Sequence, residues 1–361
     1  MGSITRTFAN NITTGGKFDA TDLTGALPAS NVADASVTNI TDVPALTAVS
    51  TVASDPPSPN VGQLWYNTTT KLLKGYVLSD GSWSTGGALN QAKSQGGGIG
   101  TLTAGLIAGG DLPGETANNE SYDGTSWTEV NNLNAATRLG QGIGLQTAAL
   151  LAGGYQPPGY QSKNESWDGT NWTETTDLNS NKGAGGGCGT QTAAIAFAGV
   201  PGGPQATNEL WNGSSWTEVG DLNGGRRHLA GVGISTAALA FGGDKPSPSP
   251  GALTEEWNGS AWTEVADLNT ARSTLGWGLY NLAGASGGSQ SPSTPTFTVS
   301  TELWDGTSWT EVNDMASGRA EGAMGGNVRT AGWYAGGGTP GRVTTTEEWE
   351  QTLINKRLRA V

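Results

Sequence analysis

Apolar and polar positions alternate with a period of two on either side of a recurring turn. The clearest instance is ESYDGTSWTEV at residues 120–130, where Tyr122 and Trp127 flank a polar turn and the residues beyond alternate. The pattern returns as ESWDGTNWTET from Glu165, ELWNGSSWTEV from Glu209, EEWNGSAWTEV from Glu255 and ELWDGTSWTEV from Glu302. Asp123-Gly124, Asp168-Gly169, Asn212-Gly213, Asn258-Gly259 and Asp305-Gly306 are the dipeptides of two-residue hairpin turns with positive φ at both central positions. Each copy therefore predicts two antiparallel strands. Upstream, a Gly-x-Gly (Gly98/Gly100, Gly142/Gly144, Gly187/Gly189, Gly231/Gly233, Gly276/Gly278) opens a run of small apolar residues. That run ends in a Gly-rich doublet or its remnant near Gly110, Gly154, Gly199, Gly243, Gly284 and Gly337, and it predicts two more short strands per unit.

The second Trp of each copy sets a ruler: Trp127, Trp172, Trp216, Trp262 and Trp309, with a worn copy at Trp83. The steps are 44, 45, 44, 46 and 47 residues. Four short strands in a repeat of this length have the content of one β-propeller blade, whereas solenoid helices would need long stretches of helical spacing that glycine at this density undermines. In such a fold glycine suits the crowded innermost strands, and the six tandem Trp fill the wedges between blades as the structural core. Each would contribute roughly 1.5–3 kcal/mol on burial. The last unit has its Glu347-x-Trp349 strand but no following Trp strand, while Trp83 has no strands before it. The two fragments complete each other. The expected fold is all-β: a six-bladed β-propeller of four-stranded blades over residues 61–352, closed by a strand at 82–86 within a hairpin at 62–86. The fifth unit, GWGLYNLAG followed by a long loop at 284–300, is expected to have the shortest strands.

A Gly-Gly doublet, a Glu-x-aromatic, a Trp about six residues on and then a basic residue opening the next unit is similar to the kelch motif, over residues 90–350. The resemblance implies a kelch-like propeller, a scaffold used for binding, assembly and a few oxidase activities. Residues 1–60 are different material, rich in Thr, Ala, Asn, Asp and Ser, with short apolar pairs that cannot bury a core alone. Residues 4–46, with LTGALPASNV, look like the N-terminal segments of phage tail fibres and other virion appendages. That resemblance implies an anchor to other virion proteins or a thin trimeric stem. The Pro-rich ASDPPSPNV at 53–61 reads as a linker, and LWYNTTTKLLKGY resembles a hairpin of phage fibre proteins that precedes a distal domain. Residues 353–361 read as a short basic tail.

Composition narrows the function. The 361 residues carry a net charge of −13, which disfavours binding to nucleic-acid phosphates. A single cysteine, Cys188, rules out an internal disulfide and a cysteine-based metal site, and reads as a small buried residue. One histidine, His228, is too few for a copper oxidase of the galactose-oxidase kind, and reads as a surface loop residue. The chain has no apolar run long enough to span a membrane and no apolar signal-peptide core. SYDGTSW resembles the sialidase Asp-box with one residue missing, and such boxes are turns remote from chemistry. No pair of carboxylates is singled out for glycoside hydrolysis, and no Gly-rich string precedes a helix as nucleotide binding would require. The expectation is no enzyme, no cofactor and no metal.

A basic residue follows each Trp by ten or eleven positions (Lys93, Arg138, Lys182, Arg226 or Arg227, Arg272, Arg319), and Glu120, Glu165, Glu209, Glu255 and Glu302 precede the Trp by seven. Recurrence in every unit reads as a structural pair rather than a ligand site. What varies is the loop after each doublet, and all six leave from equivalent places, as a recognition face would. Tyr155, Tyr160, Lys163, Lys245 and Arg342 are its candidate receptor contacts, with surface polysaccharide of a host as the ligand. The functional expectation is a virion appendage protein that presents these loops to a host. The alternatives are a virion decoration or adaptor protein, and a secreted propeller lectin or glycan hydrolase.

Overall fold

In the computed structural model the described residues are 49–57, 60–246, 250–290, 296–338 and 341–358. Of the extended anchor or stem segment expected at 1–60, residues 1–48, 58 and 59 lie outside them, while Ser50–Val52 is a strand rather than part of an extended stem. Among the described residues the chain is all-β, without a helix, and most strands belong to four-stranded antiparallel sheets. The described residues divide into two compact units, those within Ser82–Glu350 and a smaller one of those before residue 82 and after residue 350.

Among its described residues the larger unit holds six four-stranded sheets, numbered in chain order. The first is Gly97–Thr101, Ala104–Ala108, Asn119–Tyr122 and Trp127–Val130. The second is Gln141–Leu145, Ala148–Ala152, Asn164–Trp167 and Trp172–Thr175, and the third is Gly186–Thr190, Ala193–Gly199, Gln205–Trp211 and Trp216–Val219. The fourth comprises Ala230–Ile234, Ala237–Phe241, Thr254–Trp257 and Trp262–Glu264. The fifth comprises Ser273–Leu279, Leu282–Ser289, Thr301–Trp304 and Trp309–Val312. The sixth takes Ala323–Val328, Ala331–Ala335 and Thr346–Glu350, and its fourth strand comes from far upstream: Ser82–Thr85, with Trp83 opposite Trp349.

Two expectations about local form change. The hairpins turn through four residues, since Tyr122 pairs with Trp127 and Trp167 with Trp172. Only the glycine has positive φ, and the Asp123 carboxylate accepts the N–H groups of Thr125 and Ser126, so the aspartate closes the turn through its side chain. The first two strands of the fifth sheet are long rather than short, and its doublet is Gly287-Gly288, not near Gly284.

Glycine in the first strands permits close approach between sheets. A Cβ on Gly98 would lie 2.2 Å from the Met324 carbonyl oxygen of the sixth sheet, and one on Gly142 would lie 2.8 Å from the Gly97 carbonyl carbon of the first. Gly187 likewise faces Ile143, Gly231 faces Gly187, Gly276 faces Ala230 and Gly326 faces Trp277. Each first strand thus touches the first strands of two other sheets, in the order one to six and back to one.

Farther along each sheet, indoles fill the space against the preceding sheet. Trp167 and Trp172 pack on Ile99, Leu106 and Ala108; Trp211 and Trp216 on Ile143 and Leu150; Trp257 and Trp262 on Ile195 and Phe197; Trp304 and Trp309 on Leu239 and Phe241. Tyr122 and Trp127 pack on Trp333 of the sixth sheet, whereas Trp83 is only half-buried, edge-on to Trp277. Where the preceding sheet begins its third strand with Thr, the indole N–H bonds to it: Trp127 to Thr346 Oγ1 (2.9 Å), Trp309 to Thr254 (3.1 Å) and Trp83 to Thr301 (2.8 Å).

The smaller unit is a sheet of Ser50–Val52, Leu64–Asn67, Leu72–Leu78 and Leu353–Arg357. The hairpin expected at 62–86 is therefore split: residues 64–78 build this sheet, and only 82–85 serves the sixth sheet. The basic C-terminal segment is a strand rather than a tail, with Ile354 opposite Val77. Asp55 organises the unit, accepting from Trp65 Nε1 (2.9 Å), Asn67 Nδ2 (2.8 Å), Lys74 Nζ (2.8 Å) and Asn355 Nδ2 (2.6 Å). The Lys74 ammonium, then the Asn67 and Trp65 donors, hold its carboxyl down at about 2.

Trp216→Ala removes a core indole and is expected to lower stability by about 3–5 kcal/mol, read from denaturant unfolding. The Asp55 contribution is present above the ordinary aspartate pKa and is lost as pH falls towards about 2. Asp55→Asn should therefore weaken amide-exchange protection in Leu72–Leu78 at pH 7, and the difference from the parent should vanish near pH 2.

Candidate binding face

The segment joining one sheet to the next carries a repeated lock that fixes both sheets and, with them, the loops. In the third sheet Glu209 takes Asn179 N (2.6 Å) and Nδ2 (2.9 Å) on one oxygen, with Lys182 Nζ 3.8 Å from the other. The same ion pair joins Lys93 to Glu120 (2.9 Å), Arg226 to Glu255 (2.8 Å), Arg272 to Glu302 (3.0 Å) and Arg319 to Glu347 (3.2 Å), all buried. The asparagine recurs as Asn90, Asn134, Asn223 and Asn269, and just before it stands a buried apolar residue: Leu89, Leu133, Leu178, Leu222, Leu268 or, in the last copy, Met315. The sequence reading found the Glu and the base but missed this Leu-Asn pair. Its signal is a Leu six residues after each Trp but the last, where Met315 takes the place.

The second Gly of each doublet then donates its N–H to the carbonyl at the base position of the following segment, as Gly154 does to Lys182 (2.6 Å) and Gly337 does to Lys93 (2.9 Å). Both residues of the doublet have positive φ, which lets the chain turn sharply into its loop. The loops after residues 110, 154, 199, 243, 288 and 337 therefore leave from one end of the sheets.

At that end the starts of the first strands surround a cavity of about 350 Å³. One residue just before each of five first strands is in the left-handed region: Gln95, Leu139, Ala184, His228 and Glu321. Their backbones are chained, Gln95 N to Glu321 O (2.6 Å), Leu139 N to Gln95 O (2.8 Å), Ala184 N to Leu139 O (2.9 Å) and His228 N to Ala184 O (2.6 Å). All five line the cavity, together with Asp244 and Phe297. Gln95 Nε2 donates to Glu321 Oε2 (2.8 Å), and His228 Nδ1 lies 3.1 Å from Asp244 Oδ2. The mouth combines hydrogen-bonding groups with an apolar wall, the character and size of a small-molecule pocket. His228 is thus a lining residue of the mouth rather than a simple surface loop residue, and its neighbours Gln95 and Glu321 were not singled out in the sequence. The only hint there was their shared position ahead of the Gly-x-Gly.

Of the five candidate contacts, Tyr155 and Tyr160 come together. They pair across a two-stranded ribbon with their rings edge-on at 5.3 Å, and the Arg138 guanidinium sits 4.7 Å over Tyr155. Arg138 Nη1 also donates to Gln95 Oε1 (3.2 Å), tying this cluster to the mouth, and its Nε lies 3.0 Å from Glu115. Arg342 joins the group through Asp111, which it pairs with and which also lies within reach of Arg138. Lys163 stands apart, paired with Asp177 (3.3 Å) in its own sheet. Lys245 belongs to the loop of the fourth sheet, with its stem beside Gly251.

Arg138 corrects the reading of the basic residues as one structural set. In the second sheet the buried base position is Thr137; Arg138 is one place later and faces the loops. Among the described residues no group of three or more His, Cys, Asp or Glu side chains is placed to hold a metal. Cys188 is buried, and burial pushes its thiol pKa up, away from reactivity.

No protein-family model and no curated protein matches this chain. Burial pulls the Lys182 pKa down while Glu209 holds it up. Glu209→Ala, which strands the buried ammonium, is expected to cost about 3–5 kcal/mol in denaturant unfolding.

Proposed function

We propose that this chain is a non-enzymatic virion appendage protein of the phage tail-fibre type. Its six sheets form a kelch-like six-bladed β-propeller, residues 1–60 attach it to other virion proteins, and the loop face binds host-surface glycan. The propeller reading is supported by the cyclic order of first-strand contacts and by the strand at 82–85 that completes the sixth sheet. The observation that carries the recognition role is the coincidence, on one end of the sheets, of the cavity, the varied loops and the Arg138–Tyr155–Tyr160 cluster. A pyranose ring offers hydroxyls to amide and carboxylate groups and an apolar face to aromatic rings, which matches this mix. The N-terminal resemblance to fibre segments supports attachment to a particle.

The full-length protein on a glycan array is expected to bind host-type polysaccharide. Gln95→Ala with Tyr160→Ala should weaken that binding at least tenfold while leaving the unfolding midpoint nearly unchanged. Absence of glycan binding, with labelling that places the chain between other particle proteins, favours the adaptor reading. Release of reducing ends from the polysaccharide favours the hydrolase.

A further inference from the structure

The six repeats act as controls for one another, and the second departs from the rest at a buried charge. In five sheets the carboxylate oxygen not bonded to the Asn, or to Ala316 N in the sixth, faces a Lys or Arg. Four of those cations also donate to the carbonyl two residues before the Glu: Lys93 to Asn118 (3.5 Å), Lys182 to Thr207 (3.0 Å), Arg226 to Leu253 (2.6 Å) and Arg272 to Ser300 (3.0 Å). In the second sheet the same frame is present. Glu165 Oε2 accepts Asn134 N (2.9 Å) and Nδ2 (2.8 Å), and the equivalent carbonyl is that of Lys163. The base position keeps its backbone role too, with Thr137 O accepting Gly110 N at 2.8 Å.

Only the cation differs. Thr137 is too short to reach, and its hydroxyl is turned elsewhere, donating to Ala135 O (3.0 Å) and accepting from Gln156 Nε2 (2.8 Å). Among the described residues Glu165 Oε1 has neither a hydrogen bond nor an ion pair. Ser180, which donates to Glu209 Oε1 in the third sheet, is matched here by Ala135. Glu165 is 5% exposed, against 1% for Glu120, Glu209, Glu255 and Glu302. A carboxylate this buried is costly without a cation, and Arg138, one place beyond the base position, faces the loops instead.

We propose that Glu165 Oε1 and the Lys163 carbonyl form a binding site for an alkylammonium group supplied from outside the chain. The ligand class follows from the sister sheets, where a lysine head occupies this frame at Glu120 and Glu209. The ammonium can belong to a partner's lysine side chain or to a free diamine, and the chemistry at Glu165 is the same.

The test is thermal unfolding of the full-length protein in n-butylammonium chloride against tetramethylammonium chloride at equal ionic strength. n-Butylammonium should raise the melting temperature saturably by about 1–3 °C, and tetramethylammonium, which has no N–H, should not. Glu165→Gln should abolish the difference. Thr137→Lys, which supplies the cation in cis, should raise the melting temperature without added amine and also abolish the difference; if that variant does not fold, Glu165→Gln alone decides. Equal effects of the two salts, or a response that survives in Glu165→Gln, overturns the proposal. A putrescine response as large as that to n-butylammonium assigns the site to free diamines. A response to n-butylammonium alone assigns it to a side chain with an apolar stem.

Discussion

The structure depends on a carboxylate buried where one repeat hands over to the next. Each such Glu sits on the third strand of one sheet, yet it is held from the segment that follows the preceding sheet's last strand, by an Asn in the first five sheets and by a base in every sheet but the second. The ionised groups are out of water, so each needs its partner for its own burial to be tolerable. That mutual need fixes where the connecting segment runs, and the segment in turn fixes the doublet through the backbone bond to the base residue's carbonyl. Register between sheets, and the common exit of the loops, follow from a polar interaction rather than from apolar packing alone.

Packing fills what the locks define, and its volume is balanced locally. Trp277 and Trp333 enter the fifth and sixth sheets at places where the earlier sheets carry smaller side chains, and both are fully buried. Gly284 and Gly332 lie against Trp277, and Gly105 and Gly325 against Trp333, so closely that a Cβ on any of them would meet the ring within 3 Å. Here glycine makes room for an indole rather than for a turn.

The period, the strand content and the hairpins were legible because each repeats in sequence at fixed spacing and depends mainly on neighbours within the unit; the buried indoles were legible from their spacing, although they pack against the preceding sheet. The donated strand at 82–85 was legible because two incomplete units at opposite ends complement each other. Other features depend on partners a full repeat away. Asn134 reads as a loop residue until Glu165 is placed beside it, and a tolerance of ten or eleven residues after Trp hid the difference between Thr137 and Arg138. The turn chemistry was misread because Asp-Gly suits several loop lengths, and the Asp123 side chain settles which. The mouth was invisible because its lining is one residue from each of several repeats, ordinary alone. Residues 353–357 read as a basic tail because their partner strand, Leu72–Leu78, lies at the other end of the chain.

The strand at Ser82–Thr85 has a consequence for biosynthesis. Its partner in the sheet, Thr346–Glu350, leaves the ribosome about 260 residues later. At roughly 5–20 residues per second the early strand waits on the order of ten to fifty seconds with Trp83 and a bare backbone edge uncovered. Throughout that interval the nascent chain carries an open β-edge, and its protection falls to chaperones or to the speed of translation.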